Sequence, residues 1–529
     1  MTTMNIDAAA LKQWLTDGSE IALLDAREEL AFTDEGHILL ASNAPLSRLE
    51  FIVEALVPRA ETRVVVCDGG GDALADRAAR RLRELGYTSV SVLNGGTPAW
   101  RAAGFPLYEG IYVPSKAFAE VVEHEAKTPF ITAETLAAWQ AEGRDLTIVD
   151  TRTFEEYHAN TIPQSVSVPG GELVYRLATL VNDPKQTVVV NCGGRTRSII
   201  GAQSLINAGV PNPVVSLKDG TMGWVLAGLD VAIGETREAG EPAPSEMMRA
   251  AARRVADSFG VSQLTPSALA TQQAHANQTV YVLDVRTQSE FERGHWPESR
   301  HAPGGQLVQE TDRHIAVWGA SVVLIDDDGV RANMTASWLA QMGWSVSVMT
   351  LEPAALSATG PAAASALTQP DVPASRLIRP HELNDALSER VVLDLERSRE
   401  HRIAHIPGAR FIVRSRLGEY LASADADRQL VLTSNDGRLA QLAWGDHQSD
   451  ARLLVLEGGT HAWRASGLPV EGGIDPIGPV DDCWYTPRDR DSNDHEKFMN
   501  AYLTWEANLV HDMARDELHR FGDVRSLGG

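Results

Sequence analysis

The segment Cys192-Gly193-Gly194-Arg195-Thr196-Arg197 places a thiol, two glycines and two guanidinium groups side by side. A thiol is a nucleophile only as the thiolate, and cationic neighbours lower its pKa from the free value of about 8.5. Arg195 and Arg197 supply charge that does not titrate away. Gly193 and Gly194 let main-chain N–H groups wrap one point at small steric cost. The pattern predicts that Cys192 is ionised at neutral pH, attacks a sulfur electrophile and then holds the anionic persulfide. Cys192 and Arg197 are the expected catalytic residues, and Gly193, Gly194, Arg195 and Thr196 the expected substrate-binding ones.

Such a loop must be held between a strand and a helix. TVVVN reads as a buried strand ending at the cysteine, and a helix is expected from about Ser198. The helix N-terminus adds its dipole to the positive field at the sulfur.

This strand–loop–helix unit belongs to a larger repeat. An apolar run ending in an acidic turn occurs four times: IALLDAR, LTIVDTR, VYVLDVR and RVVLDLE. A second apolar strand follows each: RVVVCD, TVVVNC, SVVLID and LVLTSN. Asp25 to Cys67, Asp150 to Cys192 and Asp284 to Asp326 each span 42 residues. Three of the following helices are expected to stop at Gly86, Gly209 and Gly343. Turns ending in Trp100, Trp224 and Trp463 close three copies; the third copy has MTLEPAAL instead. Alternating strands and helices at this pitch imply an α/β fold, four tandem units each with a small parallel sheet flanked by helices.

The units are placed at 1–112, 128–236, 260–352 and 373–475, with a tail at 476–529. VPSKAFAEVVEHEAKTP reads as a connecting helix; ETREAGEPAPSE and EPAALSATGPAAASALTQPDVP read as flexible linkers. In the tail, Phe498, Tyr502, Trp505, Leu509 and Met513 recur at helical spacing, predicting an amphipathic helix docked on a domain, with a partner as the alternative.

Composition narrows the function. A formal charge of −24 argues against nucleic-acid binding. No apolar run approaches the roughly 18 residues of a membrane span, and the N-terminus carries no secretory pattern. Three cysteines in 529 residues, none at close metal-ligand spacing, fit a reducing, cytoplasmic setting with no metal and no cofactor.

The DTR strand end, CGGRTRS and DGTMGW together resemble the rhodanese superfamily. The likeness covers nearly all of residues 1–475, strongest in the first two copies and weakest in the third. It implies four rhodanese-like domains and a thiosulfate sulfurtransferase working by double displacement. Thiosulfate or a related small sulfur anion would give its outer sulfur to Cys192, and cyanide, a thiol or a protein acceptor would remove it. The six-residue loop from Cys192 to Arg197 is shorter than that of related phosphatases, which favours a sulfur-sized electrophile. The other readings are a persulfide carrier or interaction scaffold, and a cysteine-dependent phosphatase or arsenate reductase.

The remaining copies act as internal controls. Copy one has Cys67 in an acidic loop closing with Asp72, and is expected to be degenerate. Copy three has Asp326 in the cysteine's place, with Arg331 retained, and copy four has Thr433, with Arg438; both are expected to be inactive. Asp150 and Arg152 recur in copies one and three, and so read as a structural ion pair. Trp224 reads as a packing residue or pocket wall, His158 as rim or surface, and Cys483 as inert or incidentally exposed.

Overall fold

The structure is a computed structural model that describes residues 4–71, 73–275, 277–361, 369–486 and 494–527. Each apolar run forms a strand buried on both faces, the signature of a parallel sheet covered by helices. In the second repeat the strand order is Phe130–Ile131, Val214–Leu217, Thr187–Asn191, Leu146–Asp150 and Val166–Ser167. All its pairings are parallel. The third and fourth repeats repeat this five-stranded order, and the first has a sixth strand. That strand, Val317–Trp318, comes from the third repeat and pairs antiparallel with Ile21 and Ala22. One repeat thereby covers the open edge of another.

The acidic turn after the first long strand is a structural device. Asp25–Arg27, Asp150–Arg152 and Asp284–Arg286 form buried ion pairs with closest approaches of 2.6, 2.7 and 2.7 Å. In the fourth repeat Glu396 stands where the arginine would be, and His401 Nδ1 meets Asp394 at 2.8 Å instead. The same pair in repeats with and without a loop cysteine marks an architectural role.

The connector Val113–Ala126 is a helix, as expected. A further helix, Glu246–Ser258, precedes the third repeat, between the expected linker and the expected start at 260. It buries Ala252, Val255 and Ala256, with Met248 and the capping Phe259 packed beside them, a stripe at helical spacing that the sequence carries. Part of the Ala/Pro-rich linker, 362–368, lies outside the described residues.

The tail helix His495–Met513 packs on the connector helix and buries Met499, Leu503, Glu506, Leu509 and Met513. The buried stripe is therefore rotated from the predicted one: Phe498, Tyr502 and Trp505 lie at its border. Buried charge pairs join the repeats. Arg414 grips Glu50 through bonds of 2.7 and 2.8 Å, and Arg331 meets Glu172 at 3.1 Å.

Candidate active site

Thr187–Asn191 ends at the sheet's C-terminal edge, where open α/β sheets present their ligands. The helix begins at Thr196, two residues before the expected start, so Arg195 caps it and Thr196 and Arg197 lie in its first turn. The loop is fastened from behind by the DGTMGW turn. Thr221 N–H and its hydroxyl donate to the Cys192 carbonyl at 2.8 and 3.0 Å, and Met222 N–H donates to the Gly193 carbonyl at 3.1 Å. Gly220 adopts φ +53°, and a Cβ there would lie 2.2 Å from the Cys192 carbonyl oxygen. Only glycine fits this approach.

Sheet register corrects the comparison of the repeats. Asp150 pairs with Asn191, whereas Asp25 pairs with Cys67 and Asp394 with Thr433. The residues one step further, Asp68 and Ser434, therefore correspond to Cys192. The loop bonds agree: Thr97 N–H donates to the Asp68 carbonyl and Thr460 N–H to the Ser434 carbonyl, as Thr221 does to Cys192. The 42-residue spacing aligns Cys67 with Cys192, and the TSNDGR segment places Thr433 near the same position. One residue of slip turns a strand side chain to the opposite face, so Cys67 points into the core with no exposure. Asp326 keeps its assigned place.

The sibling side chains reveal what this position holds. Asp68 Oδ2 accepts Ala75 N–H at 2.9 Å and Asp326 Oδ2 accepts Ala332 N–H at 3.0 Å, each at the start of the following helix. Ser434 Oγ accepts Ala440 N–H at 3.4 Å. The Cys192 Sγ lies 3.5 Å from Ser198 Oγ, also in the first turn of its helix. In two of four copies the spot is filled by an acidic side chain that accepts an N–H from the helix start, although burial and the neighbouring Asp328 push Asp326 up to about 8.

The two loop arginines part company. Arg195 is buried and bonded to Glu120 (2.6 and 2.8 Å), Glu123 (2.5 Å) and Asp219 (3.2 Å). Three carboxylates surround its guanidinium, and it ties the loop to the connector helix. Thr196 likewise gives its hydroxyl to Glu506 of the tail helix at 2.6 Å. Arg197 forms a two-pronged pair with Glu156 at 2.7 and 2.8 Å and borders a cleft together with Gly193 and Gly194. Burial opposes ionisation of Glu156, yet the Arg197 guanidinium holds it down to about 2.

The thiol itself departs from expectation. Cys192 is 2% exposed, and burial pushes its pKa above the ordinary value; Arg197 and the Ser198 hydroxyl pull it down, and Glu506 pushes it further up. Burial opposes the expected depression and outweighs the pull of Arg197 and Ser198; the tail helix packs on the loop at Gly194 and Thr196. A Cβ on Gly194 would lie 3.0 Å from Glu506 Oε2 and 3.5 Å from Tyr502 Cε1. Lys116, from the connector helix, is buried here, donates to the Tyr502 hydroxyl and has its ammonium 4.3 Å from that ring's centroid. Burial lowers Lys116 to about 8, while Glu506 and Cys192 favour its charged form. No local motif betrays Lys116, Tyr502 or Glu506, because each arrives from outside the second repeat.

The cleft beyond the loop has a volume of about 490 Å³. Cys483 lines it, 5% exposed and 3.3 Å from Asp482; burial and that carboxylate raise its thiol to about 11, so it is neither exposed nor activated. Burial first, and Asp25 after it, place Cys67 well above the ordinary range. Asp72 lies outside the described residues. Arg331 is buried against Asp328, Glu290 and Glu172, and Arg438 stacks over Phe51. Trp224 is buried and donates to the Asp230 carbonyl at 2.8 Å, as Trp100 and Trp463 do in their own repeats. His158 is exposed. Among the described residues no cluster could hold a metal ion, and no helix is long and apolar enough to cross a membrane.

The rhodanese-like domain family matches residues 7–103, 132–227, 265–351 and 379–466. Among solved structures, a thiosulfate sulfurtransferase from Pseudomonas aeruginosa matches with a TM-score of 0.94 and 45% identity, over 98% of this chain and 100% of that one. Among curated proteins, SseB of Mycobacterium tuberculosis is 28% identical over 176 residues, 32% of this chain and 60% of its own length. An HTH-type transcriptional regulator of the same bacterium is 37% identical over 90 residues, 17% of this chain and 39% of its own. The chain thus spans less than two thirds of these curated relatives. Four repeats of one parallel sheet, matched segment by segment and again over the full length, make this chain a member of the rhodanese-like family.

Proposed function

We propose that this protein is a thiosulfate sulfurtransferase whose one competent loop is that of Cys192. The observation that carries the reading is the contrast among four equivalent positions. Asp68, Asp326 and Ser434 cannot carry a sulfane sulfur, and Cys192 can. The full-length likeness to a thiosulfate sulfurtransferase supports the same donor.

In the first step the Cys192 thiolate attacks the outer sulfur of thiosulfate. The S–S bond of the donor breaks and sulfite leaves with the electron pair. Gly193 and Gly194 allow close approach, the helix start faces the new anion, and the Arg197 edge of the cleft favours an anionic donor. Cyanide or a thiol then attacks the outer sulfur, and Cys192 returns as the thiolate. Burial makes the free thiol harder to ionise. The same burial strengthens the field of Arg197 and Lys116 once the anion exists.

Incubation with thiosulfate and cyanide tests this. Wild type and Cys67→Ser should release thiocyanate, Cys192→Ser should release none, and the Cys192 peptide should gain the mass of one sulfur atom. Thiocyanate from Cys192→Ser refutes the assignment. A stable persulfide without turnover would make the protein a carrier instead.

A further inference from the structure

Repeats two and three face each other across an approximate two-fold axis. Equivalent residues stand 134 apart: Cys192 and Asp326, Arg197 and Arg331, Glu156 and Glu290. Contacts within the repeats recur at that offset, with Arg197 on Glu156 at 2.7 and 2.8 Å and Arg331 on Glu290 at 2.7 and 2.9 Å. Contacts between the repeats are reciprocal. Trp338 Nε1 donates to Ser204 Oγ at 2.8 Å, and these two positions are equivalent. A Cβ on Gly171 would lie 2.7 Å from the Gly305 nitrogen, and one on Gly305 would lie 3.0 Å from the Gly171 nitrogen, again an equivalent pair. A residue that meets its own counterpart marks a two-fold interface.

The axis brings each loop arginine to the other repeat, and there the two halves differ. Glu172 of repeat two reaches Arg331 at 3.1 Å, and the Arg331 guanidinium lies 4.5 Å from the Tyr175 ring centroid. The counterparts of Glu172 and Tyr175 are Gln306 and Gln309, and both line the Cys192 cleft together with Arg197. Arg331 is closed by four carboxylates, Glu172, Glu290, Asp327 and Asp328, and its side chain is 0% exposed. Arg197 has Glu156 as its one carboxylate partner among the described residues, and its side chain is 16% exposed. Glu310, a further acid in the cleft, takes the Gln306 amide N–H at 2.9 Å and lies 3.8 Å from Arg313. The Gln309 side-chain oxygen is buried with no partner among the described residues.

We propose that the third repeat is the specificity-determining half of the Cys192 site. Its neutral Gln306 and Gln309, standing where repeat two has Glu172 and Tyr175, leave Arg197 without a second carboxylate, so that its charge remains available to the oxyanion of a sulfane donor. The inference rests on the sulfurtransferase reading above. A carboxylate at position 306 would close Arg197 as Glu172 closes Arg331. One opposite charge at such a distance shifts a neighbouring charge equilibrium by about one to three powers of ten. A repeat with no thiol in its own loop thereby keeps a role in its neighbour's chemistry.

Alkylation of Cys192 in the full chain tests this apart from sulfur transfer. Iodoacetate and iodoacetamide attack the same thiol with and without a negative charge. Their rate ratio therefore reports the local potential and cancels changes in thiol ionisation. In Gln306→Glu the ratio of the iodoacetate rate to the iodoacetamide rate should fall about tenfold. KM for thiosulfate should rise by about the same factor with kcat changed less than threefold, the pattern of lost donor binding. Gln309→Glu, three residues along the same helix, should move both readings the same way and keeps the test decisive if the first variant does not fold. Gln288→Glu adds the same charge on the exposed face of repeat three and should leave the ratio at its wild-type value. An unchanged ratio in the folded cleft variants overturns the proposal, as does an equal fall in Gln288→Glu. Absence of thiocyanate from wild type with thiosulfate and cyanide would overturn the sulfurtransferase reading, while the alkylation ratio still decides whether Gln306 and Gln309 set the charge at Arg197.

Discussion

Gly220→Ala should damage sulfur transfer far more than its cost in stability explains. The alanine Cβ would fall 2.2 Å from the Cys192 carbonyl oxygen and 2.7 Å from that of Gly194. Ordinary contact requires more than 3 Å, so backbone must yield by about 1 Å, and overpacking of this kind costs about 1–3 kcal/mol. The positive φ adds about 1–2 kcal/mol for a residue with a Cβ. The yielding atoms belong to the loop that carries the thiol, fastened by Thr221 and Met222. A displacement of about 1 Å at a reacting centre can cost a hundredfold in rate. Gly459→Ala is the matched control: its Cβ would lie 2.1 Å from the Ser434 carbonyl oxygen at φ +62°, in a repeat without a loop cysteine. Thiocyanate production and denaturant unfolding should be measured on both. The expectation is similar destabilisation, with kcat/KM down about a hundredfold in Gly220→Ala and within threefold of wild type in Gly459→Ala. Equal activities in the two variants would refute the claim that the glycine approach positions the sulfur.

Lys116, lowered to about 8, loses its proton before the raised Cys192 thiol ionises, so only a small fraction of the protein holds ammonium and thiolate together. The pH–rate profile should be a low bell with its acid limb near 8 and its alkaline fall where the thiol titrates. Lys116→Met should abolish the alkaline fall and shift the rising limb upward; an unchanged alkaline limb would remove Lys116 from the mechanism. Arg195→Met should destabilise the protein by several kcal/mol, because it strands the buried Glu120. Its KM for thiosulfate should move less than threefold, and a tenfold rise at unaltered stability would return Arg195 to the substrate.

The sequence by itself determined four α/β units, the strand–loop–helix setting of Cys192, the Asp–Arg pair and the packing tryptophans. Each depends on contacts between residues a short distance apart, so periodicity and turn chemistry report it. Tertiary structure decided what no local pattern encodes. Strand register showed that Asp68 and Ser434, not Cys67 and Thr433, match Cys192, because pairing depends on which faces meet across the sheet. Docking of His495–Met513 brought Tyr502 and Glu506 against the loop at Gly194, while the connector contributed Lys116 and engaged Arg195. An arginine's charge is visible in a sequence, but the carboxylates that neutralise it are chosen by the fold.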